Sequence, residues 1–163
     1  MVSTDRGLQA PALDRGRRLL LIGLTVWVLL QLSRLVAIQL IGSVADGVDD
    51  PAWLYPAILD VVCAVAAPFL ALALWKWRGL AVWTLTVVYL TVSIVDHVGF
   101  FVIYAQVGSP VAFEGMMPTD QSWVVPAIQT VIDAVFLFLV MRRTDVFFTL
   151  ARPAASATPP SAG

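Results

Sequence analysis

Residues 80–107, LAVWTLTVVYLTVSIVDHVGFFVIYAQV, decide the reading of the fold. The stretch is apolar over more than the roughly 20 residues that a helix needs to cross a bilayer. It nonetheless carries Asp96 and His97 side by side. A strand of this character could not satisfy its own backbone groups in lipid, so a helix is expected. Three further apolar stretches accompany it, at about 19–41, 53–75 and 123–141. Together they predict an all-α integral membrane protein, a four-transmembrane-helix bundle.

Composition points the same way. Of 163 residues, 60% are hydrophobic and 13% charged, with a mean hydropathy of +0.86. An ordinary water-soluble domain carries about a quarter charged residues. The formal net charge is -1, which implies no polyanionic partner, and no basic nucleic-acid surface is present. Cys63, the single cysteine, lies in an apolar run and excludes an internal disulfide.

Three divisions follow. Residues 1–18 are a polar cytoplasmic N-terminal segment, 19–143 the transmembrane domain, and 144–163 a cytoplasmic interfacial segment and disordered tail. The run after Arg15, Arg17 and Arg18 is too long for a signal-peptide core and reads as a retained helix. Pro56 and Pro126 fall in first turns, where a missing amide is cheap; Pro68 lies inside its span and predicts a bend.

Basic residues give the orientation. Arg15, Arg17 and Arg18, then Lys76 and Arg78, then Arg142 and Arg143, fall on one side if all four segments cross. The positive-inside rule puts that side, with both termini, in the cytoplasm and the protein in the cell membrane. Trp53, Tyr55, Tyr104 and Trp123 would form one interfacial belt, Trp75 and Trp77 the other. Val146, Phe147, Phe148 and Leu150 would rest in the inner interface.

Every span contributes an ionisable group: Arg34, Asp60, Asp96 with His97, and Asp133. An unpaired charge at the bilayer centre costs roughly 2.5–3.5 kcal/mol, so these groups are expected to face one another. Counting along each helix puts them roughly 9–16 Å below the same membrane surface. Gln31 shares a face with Arg34, Gln129 with Asp133, and Tyr89, Ser93 and Asp96 form one helical stripe. On the second span, Asp60, Ala64 and Ala67 leave a small-residue face.

One arginine cannot neutralise three aspartates, so at least one carboxyl group is expected to hold its proton at neutral pH. That pattern suits acid–base chemistry. Asp96 and Asp133 are the candidate general acid and base, with Asp60 orienting water or a hydroxyl, Arg34 binding oxygen and His97 assisting proton transfer. Gln31, Tyr89, Ser93, Gln129, Trp83 and Phe100 are candidate substrate-binding residues.

The expected function is a membrane-embedded isomerase, cyclase or epoxide-opening hydrolase acting on a lipophilic small molecule or lipid. Two alternatives use the same groups differently: a proton-coupled small transporter or cation/proton-conducting oligomer, and an accessory membrane subunit that binds a membrane-protein or lipid partner. A homo-oligomer suits the transport reading. No cofactor is predicted, and no metal: Asp60, Asp96, His97 and Asp133 have suitable donor atoms, but no metal-binding motif joins them.

Overall fold

A computed structural model describes residues 6–114 and 121–148. The expectations for the tail after residue 148 and for the loop around Pro118 and Asp120 lie outside them. The chain forms α1 (Arg6–Leu30), a 3-10 segment (Gln31–Val36) and α2 (Ala37–Ala45), which together make one long rod, then α3 (Leu54–Lys76), α4 (Leu80–Val107) and α5 (Val124–Arg142). Helix therefore begins at Arg6, well before the apolar run.

The rod packs on α3, α3 on α4, and α4 on α5. Small residues set the closeness of the first contact: Ala57, Ala64 and Ala67 of α3 are fully buried. Helix α3 continues through Pro68. Two apolar clusters fill the interior. One contains Leu24, Val28, Leu70, Leu74, Leu90 and Val140; the other contains Ala37, Leu40, Trp53, Ala57 and Phe100. Along the rod, α3 and α4, the polar residues fall between the two clusters: Gln31 and Arg34 between Val28 and Ala37, Asp60 between Ala57 and Cys63, and Ser93 to His97 between Leu90 and Phe100.

The connections are specified by side chains. Asp49 is buried, accepts from Ser43 Oγ at 2.6 Å, and accepts from the Val111 and Ala112 amides at 2.6 and 3.0 Å. It thereby ties the α2–α3 loop to the turn after α4. Gly79, at φ +110° where a Cβ would be strained, donates its amide to the Phe147 carbonyl at 2.8 Å. Val146 and Phe147 are accordingly 1% exposed and part of the core. They close one end of the bundle and do not lie out at an interface. Trp53 departs similarly from its expected belt position: it is 1% exposed and packs its ring 5.0 Å from that of Phe100.

The four long helices satisfy length and composition requirements for crossing a membrane, and large side chains such as Phe69 and Leu80 lie exposed on their outer faces. The expectation of an integral membrane protein is nevertheless corrected. Only 11–44% of the most apolar window of each helix is buried. The ionisable groups are paired with one another inside the protein, through Arg34–Asp96, His97–Asp133, Ser93–Asp133 and Trp27–Asp133 contacts. These features point to an all-α packed four-helix bundle with a charged core and away from a lipid-spanning one. The dry surroundings that the sequence reading drew from lipid are supplied by neighbouring side chains. The cell-membrane localisation with cytoplasmic termini, the membrane-embedded enzyme, the transporter or conducting oligomer and the accessory membrane subunit are corrected with it.

Candidate functional site

Arg34 stands at the centre. It lies on the 3-10 segment and is 4% exposed. Its Nε is 2.8 Å from Asp60 Oδ1, and its Nη2 is 3.1 Å from Asp96 Oδ2. The same Nη2 donates to Nε2 of His97. One guanidinium thus gathers groups from α3 and α4, which a planar fork of donors does better than a lysine ammonium.

Asp133 forms a second focus. It is fully buried on α5, accepts from Trp27 Nε1 and from Ser93 Oγ at 2.6 Å each, and lies 3.9 Å from His97 Nδ1. Trp27 comes from α1 and Ser93 from α4, so one carboxyl group fastens three helices. The Trp27 ring also stacks on Phe136 of α5 at 6.4 Å. His97 links the two foci, its Nε2 toward Arg34 and its Nδ1 toward Asp133.

A cavity of about 290 Å³ opens beside the first focus. Arg34, Asp60, Asp96, His97 and Gln129 give it a polar side; Phe100, Phe113 and Val125 give it an apolar one. Asp60 is the most accessible of the charged groups, with a quarter of its side chain exposed, whereas Asp96 is 1% exposed as a residue.

The protonation states follow from this geometry. Burial and then the neighbouring Asp60 charge push the Asp96 carboxyl up to about 8, against the pull of Arg34. Burial also raises Asp60, opposed by Arg34 and by its hydrogen bond with Asp96. Asp60 holds the tighter contact to the guanidinium, so it keeps the negative charge while Asp96 keeps a proton. Burial and the Arg34 charge push His97 down to about 3, Gln129 acting the other way. A neutral imidazole whose Nε2 accepts from Arg34 carries its proton on Nδ1, facing Asp133. Asp133 itself is raised by burial, against the Ser93 and Trp27 hydrogen bonds.

These shifts set a pH dependence. Unfolding returns His97 to 6.5 and Asp96 to 3.8. The imidazole is neutral in both states only above about pH 7.5, one unit past its free value; just above pH 6.5 the unfolded chain still binds part of that proton, which offsets some of the Asp96 effect. Between pH 6.5 and about 8 the folded chain holds a proton on Asp96 that the unfolded chain releases, so stability falls as pH rises. Unfolding free energies from urea titrations across that interval should decline by up to about 1.4 kcal/mol per pH unit for the Asp96 proton, with a further share from Asp133 where burial keeps it protonated, and Asp96→Asn should remove the Asp96 share.

The remaining candidates divide by place. Gln31 is fully buried one 3-10 turn before Arg34, and Ser93, Gln129 and Phe100 lie at the foci or the cavity wall. Tyr89 instead donates to the Cys63 carbonyl at 3.2 Å, and Trp83 donates to the Val140 carbonyl at 3.3 Å beside Phe148. Both pack in the first apolar cluster and neither lines the cavity. Cys63 is buried and its thiol is pushed up to about 11. The reach of Trp27 to Asp133 crosses between helices far apart in sequence, and no local spacing signals it. Among the described residues no three His, Cys, Asp or Glu side chains are grouped so as to hold a metal ion.

Comparison of the chain with protein-family models, with curated proteins and with solved structures finds no match.

Proposed function

We propose that the protein is an acid–base site for a small, largely apolar molecule held in the cavity beside Arg34. One observation carries the reading: Asp60 and Asp96 share a single guanidinium at the wall of that cavity. The pair offers a carboxylate and a carboxylic acid together, and environments that separate two carboxyl groups in this way assign the base and the acid. Asp60, nearer the opening, takes a proton from the bound molecule. Asp96 returns one to a developing negative charge, and Arg34 fixes both in place. The apolar wall at Phe100, Phe113 and Val125 excludes water and holds the body of the ligand. A packed bundle supplies these conditions without a bilayer.

The test uses nitrobenzisoxazole, an aromatic carbon acid of suitable size. A base removes its ring C–H proton as the N–O bond opens, and the coloured cyanophenolate product is followed by absorbance. The protein should accelerate the reaction over buffer, and Asp60→Asn should lower turnover by about 100-fold or more, the range of a positioned general base. Asp96→Asn should have a smaller effect, because the leaving phenolate needs less help. Turnover no faster than buffer, or an Asp60→Asn protein as active as the parent, overturns the reading.

A further inference from the structure

A second cavity, of about 260 Å³, opens between α1 and the end of α3. It shares no lining residue with the cavity beside Arg34. Its walls are apolar, with Leu21 and Ile22 from α1 and Leu74 and Trp75 from α3. Thr25 adds one hydroxyl, and Arg18 and Arg78, both exposed, supply the charge. Among the described residues no carboxylate lines it. Leu74 is closed into the core at 1% exposure, but Ile22 and Trp75 are left 53% and 74% exposed. Large apolar side chains left bare around a recess mark a surface that another molecule covers.

Arg78 is set to receive an anion. Its Nη1 donates to the Leu74 carbonyl and, at 2.7 Å, to the Trp77 carbonyl. Those bonds fix the guanidinium at the C-terminal end of α3 and use one of its three nitrogens. Nε and Nη2 keep N–H donors in the fork geometry that suits a carboxylate. The negative pole of α3 opposes an anion here, but Arg78 already covers the Leu74 carbonyl that carries part of it. The rest of this end is basic. Arg15, Arg17, Lys76, Arg142 and Arg143 stand there against Asp14 and Asp145, and Asp145 is engaged with Arg143 at 3.3 Å.

Charge at the mouth and hydrocarbon within define an occupant with both properties. Inorganic phosphate would leave the apolar walls bare, and a neutral hydrocarbon would leave the arginines unused. We propose that this groove binds the carboxylate form of a straight-chain fatty acid. The head lies at Arg18 and Arg78, and the alkyl chain runs along Leu21, Ile22 and Trp75. The proposal stands apart from the acid–base reading, with which it has no residue in common.

Ligand-observed NMR on the full chain tests it by comparing decanoate, below its micelle-forming concentration, with decanol and acetate. Decanoate should bind at least tenfold more tightly than either, since it alone uses both halves of the groove. Arg78→Gln should weaken decanoate about tenfold, the loss expected for one charge-assisted hydrogen bond, and leave decanol unchanged. Arg18→Gln provides the same comparison if the Arg78 variant folds poorly. Arg142→Gln removes an equal charge from the same end, outside the groove, and should change decanoate binding less than twofold. Decanol or acetate binding as tightly as decanoate overturns the proposal, as does decanoate binding that neither groove variant weakens. Equal weakening by Arg142→Gln also overturns it, reducing the effect to the general positive field of that end.

Discussion

Arg34→Met should destabilise the protein by about 3–5 kcal/mol, the cost of removing one partner from a buried ion pair. The magnitude follows from what remains behind. Asp60 loses the cation 2.8 Å away, Asp96 loses the one at 3.1 Å, and His97 loses the donor to its Nε2. No other lysine or arginine contacts these carboxyl groups among the described residues. Methionine fills much of the volume of the arginine stem, so lost packing contributes little. The origin of the loss can be separated from packing by a second variant. Arg34→Met combined with Asp60→Asn and Asp96→Asn removes the charges together, and most of the stability should return, because replacing a whole buried ionic group by neutral residues is often close to neutral. Urea unfolding followed by tryptophan fluorescence measures both variants. An Arg34→Met protein within about 1 kcal/mol of the parent, a change typical of an exposed pair, would show that water already solvates the network.

The charged core was legible in the sequence because of its cost. Arg34, Asp60, Asp96, His97 and Asp133 stand out against their apolar neighbours, and the cost of leaving any of them unpaired turns each inward. Four long helices were legible for the same reason. The surroundings of those helices were not. Apolarity over spanning length reports what a segment can do, and charges within it are expensive in any dry medium; here the protein's own packing provides that medium. The 3-10 interruption at Gln31–Val36 was also hidden, since neither glycine nor proline marks it. The segment packs on α3, and Arg34 within it reaches Asp60 on α3 and Asp96 on α4. Asp49 is a similar case. Among Gly47, Asp50 and Pro51 it reads as one more turn residue, but its carboxylate is committed to amides of a loop 62 residues further on. Trp53 fitted an interfacial belt by composition and proved to be core, because aromatic residues near helix ends serve either purpose.

Asp133→Leu should cost about 2–6 kcal/mol, one buried-donor penalty of about 1–3 kcal/mol for each of two hydrogen bonds. Trp27 Nε1 is the stricter of the two donors, since an indole N–H has no alternative role. Ser93 can rotate its hydroxyl, and in a helix it can turn toward the backbone carbonyl four residues earlier. The greater part of the loss should therefore track Trp27. Adding Trp27→Phe to Asp133→Leu removes the stranded donor and should recover more stability than adding Ser93→Ala, as a double-mutant comparison by urea unfolding would reveal. Asp133→Asn is the informative conservative change. Its amide oxygen can accept from Trp27, while its NH2 donates to Ser93 Oγ with the hydroxyl turned away. Both contacts survive if the native carboxyl group is protonated, as burial favours, and the variant should remain within about 1 kcal/mol of the parent. A native carboxylate would instead lose two charge-assisted bonds, each worth roughly twice a neutral one. A large loss on Asp133→Asn would thus place a negative charge at the junction of α1, α4 and α5. It would also give the His97 Nδ1–H, 3.9 Å away, an ionised neighbour. The size of that single substitution decides which of the two protonation states the bundle is built around.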